Sequence, residues 1–248
     1  MKDKRLIIFD LDGTLAESKS PLDNEMSGLI GSLLNEKEVA VISGGAHNQL
    51  EKQLVNSLNC TEELLRKLYL FPTCSTSFYR YTDKWENVYT EELTTEERNK
   101  IRASLSKALG ETSFELPKTI YGEQLEDRGS QMTFSALGQK APAALKKSWD
   151  PDFKKRIELK QTLEKYIPEF EIRAGGTTSL DITRKGIDKA YGISQIEKYL
   201  CITKDKMLFI GDALFEGGND YAVKKTGVEC ITTTGPENTK EIIRNILK

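Results

Sequence analysis

The sequence has little of several residue types that would mark other classes of protein. Its 248 residues include one histidine, two tryptophans and four cysteines. Cys60, Cys74, Cys201 and Cys230 do not have the paired spacing of a metal site, and a chain of this length does not need a disulfide framework. We therefore expect free thiols in a reducing compartment.

Net charge and long apolar segments are also lacking. The 36 basic and 38 acidic residues nearly cancel, leaving a formal charge of −2, so the overall field gives no reason to expect nucleic acid or an anionic membrane as partner. No apolar run approaches the roughly 20 residues of a membrane span. Only four apolar residues separate Arg5 from Asp10, which does not fit a signal peptide. We expect a cytoplasmic protein.

What the sequence does contain is an alternation of short apolar runs with helical patterns. Strands are predicted at 6–9, 39–42, 68–71, 207–210 and 228–232, and helices at 23–35, 188–199 and 237–247. Such alternation predicts an α/β fold with a doubly wound, Rossmann-like parallel sheet.

The middle of the chain has a different pattern. Residues 78–93 alternate aromatic and polar side chains, as in an antiparallel hairpin. Further strands are predicted within 131–137 and 171–182, and helices at 95–109 and 152–166. The sequence therefore predicts a core of residues 1–77 and 184–248 with an α+β domain, 78–183, inserted. The aromatic residues of this insertion fit either the face of a homodimer or the insertion's own core.

Polar, glycine-containing segments follow three of the predicted strands. Asp10 and Asp12 follow the first, Ser43-Gly44-Gly45 the second, and Gly211-Asp212 a late one. Carboxyl ends of parallel strands meet at one edge of a sheet, where ligands bind. Two carboxylates this close repel each other unless a cation lies between them, and Mg²⁺ prefers such oxygen ligands. The alternative is that Asp10 and Asp12 only cap a turn.

These segments resemble the motifs of a known family. Asp10-Leu11-Asp12-Gly13-Thr14 after a buried strand resembles the first motif of the haloacid dehalogenase superfamily of phosphotransferases. Ser43-Gly44-Gly45 resembles the second motif, Lys189 the third, and Gly211–Asp220 the fourth. The insertion lies between the second and third motifs, as in the subgroup that carries its cap domain there.

The resemblance implies a role for each motif residue. Asp10 would be the nucleophile that becomes phosphorylated, Asp12 the general acid and base, and Lys189 the group that balances the carboxylate charge. Mg²⁺ would be held by Asp10, the main-chain carbonyl of Asp12, Asp212 and Asp220, and the phosphoryl oxygens by Thr14, Ser43 and Gly44.

Alternatives remain for three of the polar residues. Lys185 is the rival of Lys189, and Asp220 would also fit as a helix cap. The single histidine, His47, is interpreted as a surface residue or as the start of a helix.

Within the superfamily the chain is most similar to phosphomannomutases and related sugar phosphatases. Gly175–Asp181 resembles the cap segment that meets sugar hydroxyls, with Asp181 as their acceptor, and Arg128 and Lys146 resemble phosphate-binding cap residues. Gln139 stands where those mutases have an arginine, which weakens the grip on a second phosphate.

We therefore rank a hexose-phosphate phosphatase ahead of a phosphomannomutase-type isomerase. A catalytically silent protein that binds a sugar phosphate is a third alternative, against which the presence of both Asp10 and Asp12 argues.

Overall fold

A computed structural model of the chain describes residues 1, 3–114, 116–175 and 177–248. These form two compact units, which are the core unit, Met1–Thr90 with Asp188–Lys248, and the middle unit, Glu91–Ile187.

The chain alternates strands and helices along most of its length. The strands are β1 (Leu6–Phe9), β2 (Glu38–Ile42), β3 (Leu68–Phe71), β4 (Ser77–Tyr81), β5 (Trp85–Thr90), β6 (Leu125–Asp127), β7 (Met132–Ser135), β8 (Phe170–Gly175), β9 (Ser179–Arg184), β10 (Met207–Gly211) and β11 (Glu229–Thr232). The α-helices are α1 (Asn24–Glu36), α2 (His47–Gln53), α3 (Glu62–Leu65), α4 (Thr95–Glu111), α5 (Ala143–Trp149), α6 (Lys154–Tyr166), α7 (Lys189–Leu200), α8 (Tyr221–Lys224) and α9 (Pro236–Ile246).

The core unit contains a seven-stranded sheet in the order β11-β10-β1-β2-β3-β4-β5. The five strands from β11 to β3 are parallel, and apolar side chains of β1 alternate between its two faces. Ile7 and Phe9 pack with α1, α2 and α9, whereas Leu6 and Ile8 pack with α7 and α8. Both faces are covered, which explains why these strands are almost continuously apolar. The predicted doubly wound α/β fold is confirmed.

No helix among the described residues is both long and apolar enough to cross a membrane.

The hairpin predicted within 78–93 belongs to the core sheet and not to the inserted domain, where the sequence placed it. β4 pairs antiparallel with β3 and extends the core sheet, so the core unit continues to Thr90. The Phe78 ring stacks on Phe71 with centroids 4.5 Å apart, and Tyr79 stacks on His47, the first residue of α2, at 3.8 Å. Alternating polarity identified the strands but not their partners. Phe78 is therefore a core residue rather than part of a dimer face.

The middle unit has an antiparallel sheet in the order β6-β7-β9-β8. Met132, Phe134, Leu180 and Ile182 share one face of this sheet, and they pack with Leu105 and other apolar residues of α4 and α6. Gln131, Thr133, Ser135, Asp181 and Thr183 occupy the alternate positions, and their side chains are also buried. The sheet therefore has one apolar face and one buried polar face.

The start of α4 is fixed by a reciprocal pair of hydrogen bonds. The Thr94 hydroxyl accepts from the Glu97 N–H at 3.2 Å, and the Glu97 carboxylate accepts from the Thr94 N–H at 2.7 Å. Glu97 also contacts the Arg184 guanidinium at 2.8 Å, which joins α4 to the end of β9. Hydrogen bonding to Arg184 lowers the pKa of Glu97 to about 2.

Replacing Glu97 with glutamine should destabilise the protein by about 1 kcal/mol at pH 7, because the amide keeps the helix cap but loses the charge of the pair. Because the pKa of Glu97 is lowered on folding, its ionised carboxylate contributes fully to folding stability above pH 4.5. This contribution declines as the pH falls toward 2. Urea unfolding of both proteins at pH 7 and pH 3.5 measures this. A stability difference that is larger at pH 3.5 would contradict the assignment.

Candidate active site

The ends of three neighbouring strands bring the predicted motif residues together. β10, β1 and β2 are adjacent and parallel, so Asp212, Asp10 and Ser43 follow them at the same edge of the core sheet. Carboxylate oxygens of Asp10, Asp212 and Asp220 all lie within 4.8 Å of one another. The structure thus gathers three acidic side chains from the two ends of the sequence into one cluster.

Lys189 is the cation of this cluster. It is the first residue of α7, whose N-cap Asp188 accepts a hydrogen bond from the Tyr191 N–H at 2.9 Å. Its Nζ lies 2.5 Å from Asp10 Oδ1 and also contacts Asp220 Oδ1, and the side chain is 2% exposed. Burial by itself would lower the pKa of Lys189, but the two carboxylates outweigh it and raise that pKa.

The rival residue, Lys185, instead donates to the Pro168 carbonyl at 3.3 Å, within the middle unit.

Burial also changes the acidity of the carboxylates. It raises the pKa of Asp10 to about 8, although the Lys189 ammonium opposes the rise. Burial and the Asp220 charge likewise raise the pKa of Asp212, while the Lys189 ammonium opposes this. When Asp10, Asp212 and Asp220 are all ionised, one ammonium leaves two negative charges in excess. A hard divalent cation fits both that charge and the all-oxygen ligand set.

Asp220 contributes to the cluster mainly through Lys189. Its Oδ1 accepts from Lys189, and its Oδ2 accepts from the Ala213 N–H at 3.0 Å. Asp220 is the N-cap residue of α8, yet its side chain makes no capping hydrogen bond there. Both carboxylate oxygens therefore have partners. Asp10 and Asp212 are the side chains best placed to hold a cation, and Asp220 fixes the lysine beside them.

Glycines allow these acids to approach the backbone. A Cβ on Gly13 would lie 2.6 Å from Asp212 Oδ2, and Gly13 has φ of +87°. A Cβ on Gly211 would lie 2.3 Å from Asp220 Oδ2. The glycines of the first and fourth motifs are thus required by close contact with a carboxylate.

The Asp12 side chain is not part of the acidic cluster. Its Oδ1 accepts from the Lys19 N–H at 2.8 Å and from Gln53 Nε2 at 3.1 Å, and its Oδ2 accepts from Gln49 Nε2 at 3.4 Å. All three partners are hydrogen-bond donors, and together they fix the orientation of the Asp12 carboxylate. Only the Asp12 main-chain carbonyl remains as its predicted cation ligand.

The role of the two glutamines that contact Asp12 was not predicted from the sequence. Gln49 and Gln53 lie four residues apart on α2, and Gln49 Nε2 donates to Gln53 Oε1 at 2.6 Å. An i, i+4 pair of amides directly after the second motif is the only sequence signal for them.

The second-motif loop is held by an unusual turn after β3. Ser43 is buried, and its hydroxyl accepts from the Gly45 N–H at 3.0 Å. Thr73, Cys74 and Ser75 have φ of 50°, 56° and 70°, which is costly for residues other than glycine. The Thr73 N–H donates to the Gly45 carbonyl at 2.8 Å and the Cys74 N–H to that of Ser43 at 2.9 Å. This left-handed turn ties the end of β3 to the loop at Ser43, Gly44 and Gly45.

The middle-unit residues predicted to bind substrate are engaged with neighbours inside that unit. Arg128 is bonded to Glu126 Oε2 at 2.7 Å, and Lys146 Nζ donates to the Gln139 carbonyl at 2.9 Å. Asp181 Oδ1 accepts from the Thr133 hydroxyl at 2.8 Å. Gly176, in the predicted sugar-binding segment, lies outside the described residues. The substrate roles of Arg128, Lys146 and Asp181 stay predictions.

Comparison with known protein families shows to which family the chain belongs. The family described as haloacid dehalogenase-like hydrolase matches residues 7–248. The chain belongs to this family. Haloacid dehalogenase-like relatives with curated names include a phosphomannomutase of Encephalitozoon cuniculi, 26% identical over 99% of this chain and 94% of its own. The phosphomannomutase of Saccharomyces cerevisiae is 27% identical over 90% of this chain and 85% of its own. The chain is therefore an enzyme that acts on phosphate esters by phosphoryl transfer.

Solved structures of other proteins share the fold. The IMP-bound, N-terminally truncated IMP-nucleotidase of Plasmodium falciparum has a TM-score of 0.75 at 18% identity, covering 98% of this chain and 68% of that one. A haloacid dehalogenase-like hydrolase from Bacteroides thetaiotaomicron has a TM-score of 0.66 at 17% identity, covering 98% and 99%. At these identities the likeness concerns the fold alone.

Replacing Gly13 with alanine should destabilise the protein by about 2–3 kcal/mol, because the new Cβ adds backbone strain and meets Asp212. Gly227→Ala is a matched control, since Gly227 has φ of +86° and nothing within 4 Å of its Cβ position. We expect Gly227→Ala to lower the free energy of unfolding by only about 1 kcal/mol. Denaturant unfolding compares the two, and equal losses would show that the approach to Asp212 is unimportant.

Replacing Lys189 with methionine should lower the free energy of unfolding by about 3–5 kcal/mol in the presence of a chelator, because the buried carboxylates lose their counter-charge. Added Mg²⁺ should recover part of the loss by binding the native state. Lys240→Met is the control, because Lys240 is 4% exposed but its partners Asp23, Glu25 and Glu237 are more than half exposed. The Lys240→Met protein should lose about 1 kcal/mol of unfolding free energy, and this loss should not depend on Mg²⁺. Chemical unfolding with and without Mg²⁺ tests both variants.

Proposed function

We propose that this enzyme is a magnesium-dependent phosphatase of hexose phosphates. The observation that supports hydrolysis over isomerisation is that the arginines of the middle unit are paired with carboxylates. The resemblance places substrate recognition in this unit. That unit contains six arginines, and a carboxylate of the same unit pairs with each of them. The pairs are Arg98 and Arg102 with Asp127, Arg128 with Glu126, Arg156 with Asp150, Arg173 with Glu171, and Arg184 with Glu97.

Pairing matters because of what an isomerase has to bind. A hexose-phosphate mutase must hold a bisphosphate, release one end and bind it again in the opposite orientation. Arginine is the residue that grips phosphate bidentately, but here each middle-unit arginine already has a carboxylate partner. A phosphatase needs only one phosphate gripped, at the reacting end. The internal neutralisation of these arginines therefore favours hydrolysis.

The first half of the reaction would proceed at Asp10. Its carboxylate attacks phosphorus, and the bond from phosphorus to the ester oxygen breaks as the aspartyl-phosphate forms. Asp12 gives a proton to the departing sugar oxygen. The Ser43 hydroxyl and the Gly44 N–H would hold the phosphoryl oxygens, while Lys189 keeps the Asp10 carboxylate in position.

The second half returns the enzyme to its starting state. Asp12 accepts a proton from water, and the water oxygen attacks the phosphorus of the aspartyl-phosphate. The bond between phosphorus and the Asp10 oxygen breaks, which releases inorganic phosphate and regenerates the Asp10 carboxylate. A bound Mg²⁺, held by Asp10, Asp212 and the Asp12 carbonyl, would neutralise charge on the phosphoryl oxygens. Asp181 would accept hydrogen bonds from sugar hydroxyls. A cytoplasmic location and a homodimer remain predictions from the sequence.

The second candidate function is a phosphomannomutase-type isomerase. Relatives that carry that name match this chain along nearly its whole length, which favours it. One assay with two measured products separates the candidates. Mannose 1-phosphate with Mg²⁺ and a catalytic amount of hexose bisphosphate should release inorganic phosphate if the enzyme is a phosphatase. Mannose 6-phosphate appearing without phosphate release would establish the isomerase instead.

Replacing Asp10 with asparagine should lower kcat for every phosphate ester by on the order of 10⁴-fold or more, because an amide does not attack phosphorus. Asp83→Asn is the control, since the Asp83 side chain is 94% exposed at the β4–β5 turn. It should keep full activity. Phosphate release by both variants measures this, and circular dichroism checks that Asp10→Asn is folded. Turnover by folded Asp10→Asn within tenfold of the wild type would exclude Asp10 as nucleophile.

A further inference from the structure

A pocket opens in the core unit at the edge of the sheet opposite the acidic cluster. Its lining includes Arg5, Glu38, Arg66, Tyr69, Arg80 and Tyr199. Arg5 directly precedes β1 and Glu38 begins β2, whereas Asp10 and Ser43 directly follow those two strands. At about 3.3 Å per residue, the path along β1 from Arg5 to Asp10 spans roughly 16 Å. The pocket is therefore separate from the candidate active site.

The size of this pocket suits a small organic ligand. Its volume is about 580 Å³. Sites for such ligands usually occupy roughly 300–1,000 Å³ and combine apolar or aromatic surface with a few polar groups. The lining of this pocket contains both kinds of group, so the question is which ligand its charges and rings select.

Two of the three arginines in the lining are already neutralised. Glu38 Oε1 accepts from Arg5 Nε at 2.7 Å, and Glu38 Oε2 accepts from the Tyr69 hydroxyl at 2.8 Å. Arg66 donates to Asp83 Oδ1, also in the lining, at 3.2 Å. Both lining carboxylates therefore have a guanidinium partner, and the hydrogen bonds of Glu38 fix Arg5 and Tyr69 in place.

Arg80 provides the charge that is not neutralised. It lies directly opposite Tyr69 in the β3–β4 pair, so both side chains lie on the same face of the sheet. Burial and the hydrogen bond to Glu38 raise the pKa of the Tyr69 phenol, and the charges of Arg5 and Arg80 oppose this rise. Glu86, opposite Arg80 on β5, does not line the pocket. Arg80 is exposed, and no hydrogen bond or ion pair joins it to the part of the chain that the structure describes.

Aromatic rings line the pocket on two sides. Tyr69 belongs to β3, and Tyr199 lies next to Leu200 in the last turn of α7. The Tyr199 ring is 38% exposed, and it stacks on Tyr89 with centroids 5.3 Å apart. Such surfaces favour a ligand with a flat apolar body. A guanidinium adds a preference for a carboxylate or a phosphate, which it binds through two parallel hydrogen bonds.

The balance of charge selects between these two anions. Three guanidinium groups and two carboxylates give the lining one positive charge in excess. A carboxylate compensates that charge. A dianionic phosphate would instead leave negative charge in excess beside Glu38 and Asp83, which is unfavourable.

We propose that this pocket is a second binding site of the protein, for a small aromatic carboxylate, with Arg80 as its anion-binding residue. The site does not depend on the proposed function, because none of its lining residues belongs to the acidic cluster or to the four motifs.

Three matched probes test the chemistry of the site. 2-Naphthoate carries both the ring and the charge, naphthalene-2-carboxamide lacks the charge, and cyclohexanecarboxylate lacks the aromatic ring. Ligand-observed NMR titrations of the full chain give a Kd for each probe. We expect 2-naphthoate to bind at least about fivefold more tightly than the carboxamide and at least about threefold more tightly than cyclohexanecarboxylate.

Substitutions test the location of the site. Arg80→Ala should remove the advantage of 2-naphthoate over the carboxamide, and Arg80→Lys should keep part of it, because lysine binds a carboxylate only as a point charge. Tyr199→Leu should weaken binding of 2-naphthoate more than binding of cyclohexanecarboxylate. Arg244→Ala removes an exposed charge of α9, and neither this change nor Asp10→Asn should alter the three Kd values. Circular dichroism checks that each variant is folded.

Four results would overturn the proposal. Equal Kd values for 2-naphthoate and the carboxamide would exclude recognition of an anion, and cyclohexanecarboxylate binding as tightly as 2-naphthoate would exclude recognition of the ring. An unchanged charge advantage in Arg80→Ala, or an equal loss in Arg244→Ala, would show that Arg80 is not the anion-binding residue. Weaker binding by Asp10→Asn would place the probe in the active site instead.

Discussion

The site depends on the compensation of charge around Lys189. One buried ammonium lies between Asp10 and Asp220, and Asp212 adds a further carboxylate to the same small volume. Burying this many ionised groups is unfavourable unless their charges and hydrogen bonds are matched. Lys189 supplies part of the match, and the remaining excess of negative charge favours a divalent cation. Catalytic competence and local stability therefore depend on the same electrostatic balance.

This balance explains why the surrounding backbone is so constrained. Gly13 and Gly211 allow carboxylates to approach where any side chain would collide. The left-handed turn at Thr73–Ser75 holds the loop that follows β2, although its backbone conformation is unfavourable for those residues. Such local strain persists only where the surrounding packing determines it, and it is common at functional sites. The apolar sheet beneath supplies that packing, because β1, β2 and β10 are buried on both faces.

The sequence predicted the core well because its signals are local. Apolar runs ending in Asp10, Ser43 and Gly211 give both the strands and, through the rule that ligands lie at the carboxyl ends, their convergence. The partners of a strand are not a local property, so the hairpin from Phe78 onward was assigned to the inserted domain instead of the core sheet. The contacts of Asp12 with Gln49 and Gln53 were missed for the same reason: amides on an ordinary-looking helix acquire a role only through tertiary contact. The pairing of each middle-unit arginine with a carboxylate likewise depends on three-dimensional neighbours.

The position of β1 in the sheet has a consequence for how the chain acquires its fold. Leu6 pairs with Glu38 on one side and with Met207 on the other, so one edge of β1 lacks its partner until β10 has been synthesised. Because translation adds about 5–20 residues per second, that hydrogen-bonding edge stays open for on the order of ten seconds or more. An apolar edge of this kind can pair with another nascent chain. Early packing of α1 on β1 would therefore help to protect the nascent chain from such pairing.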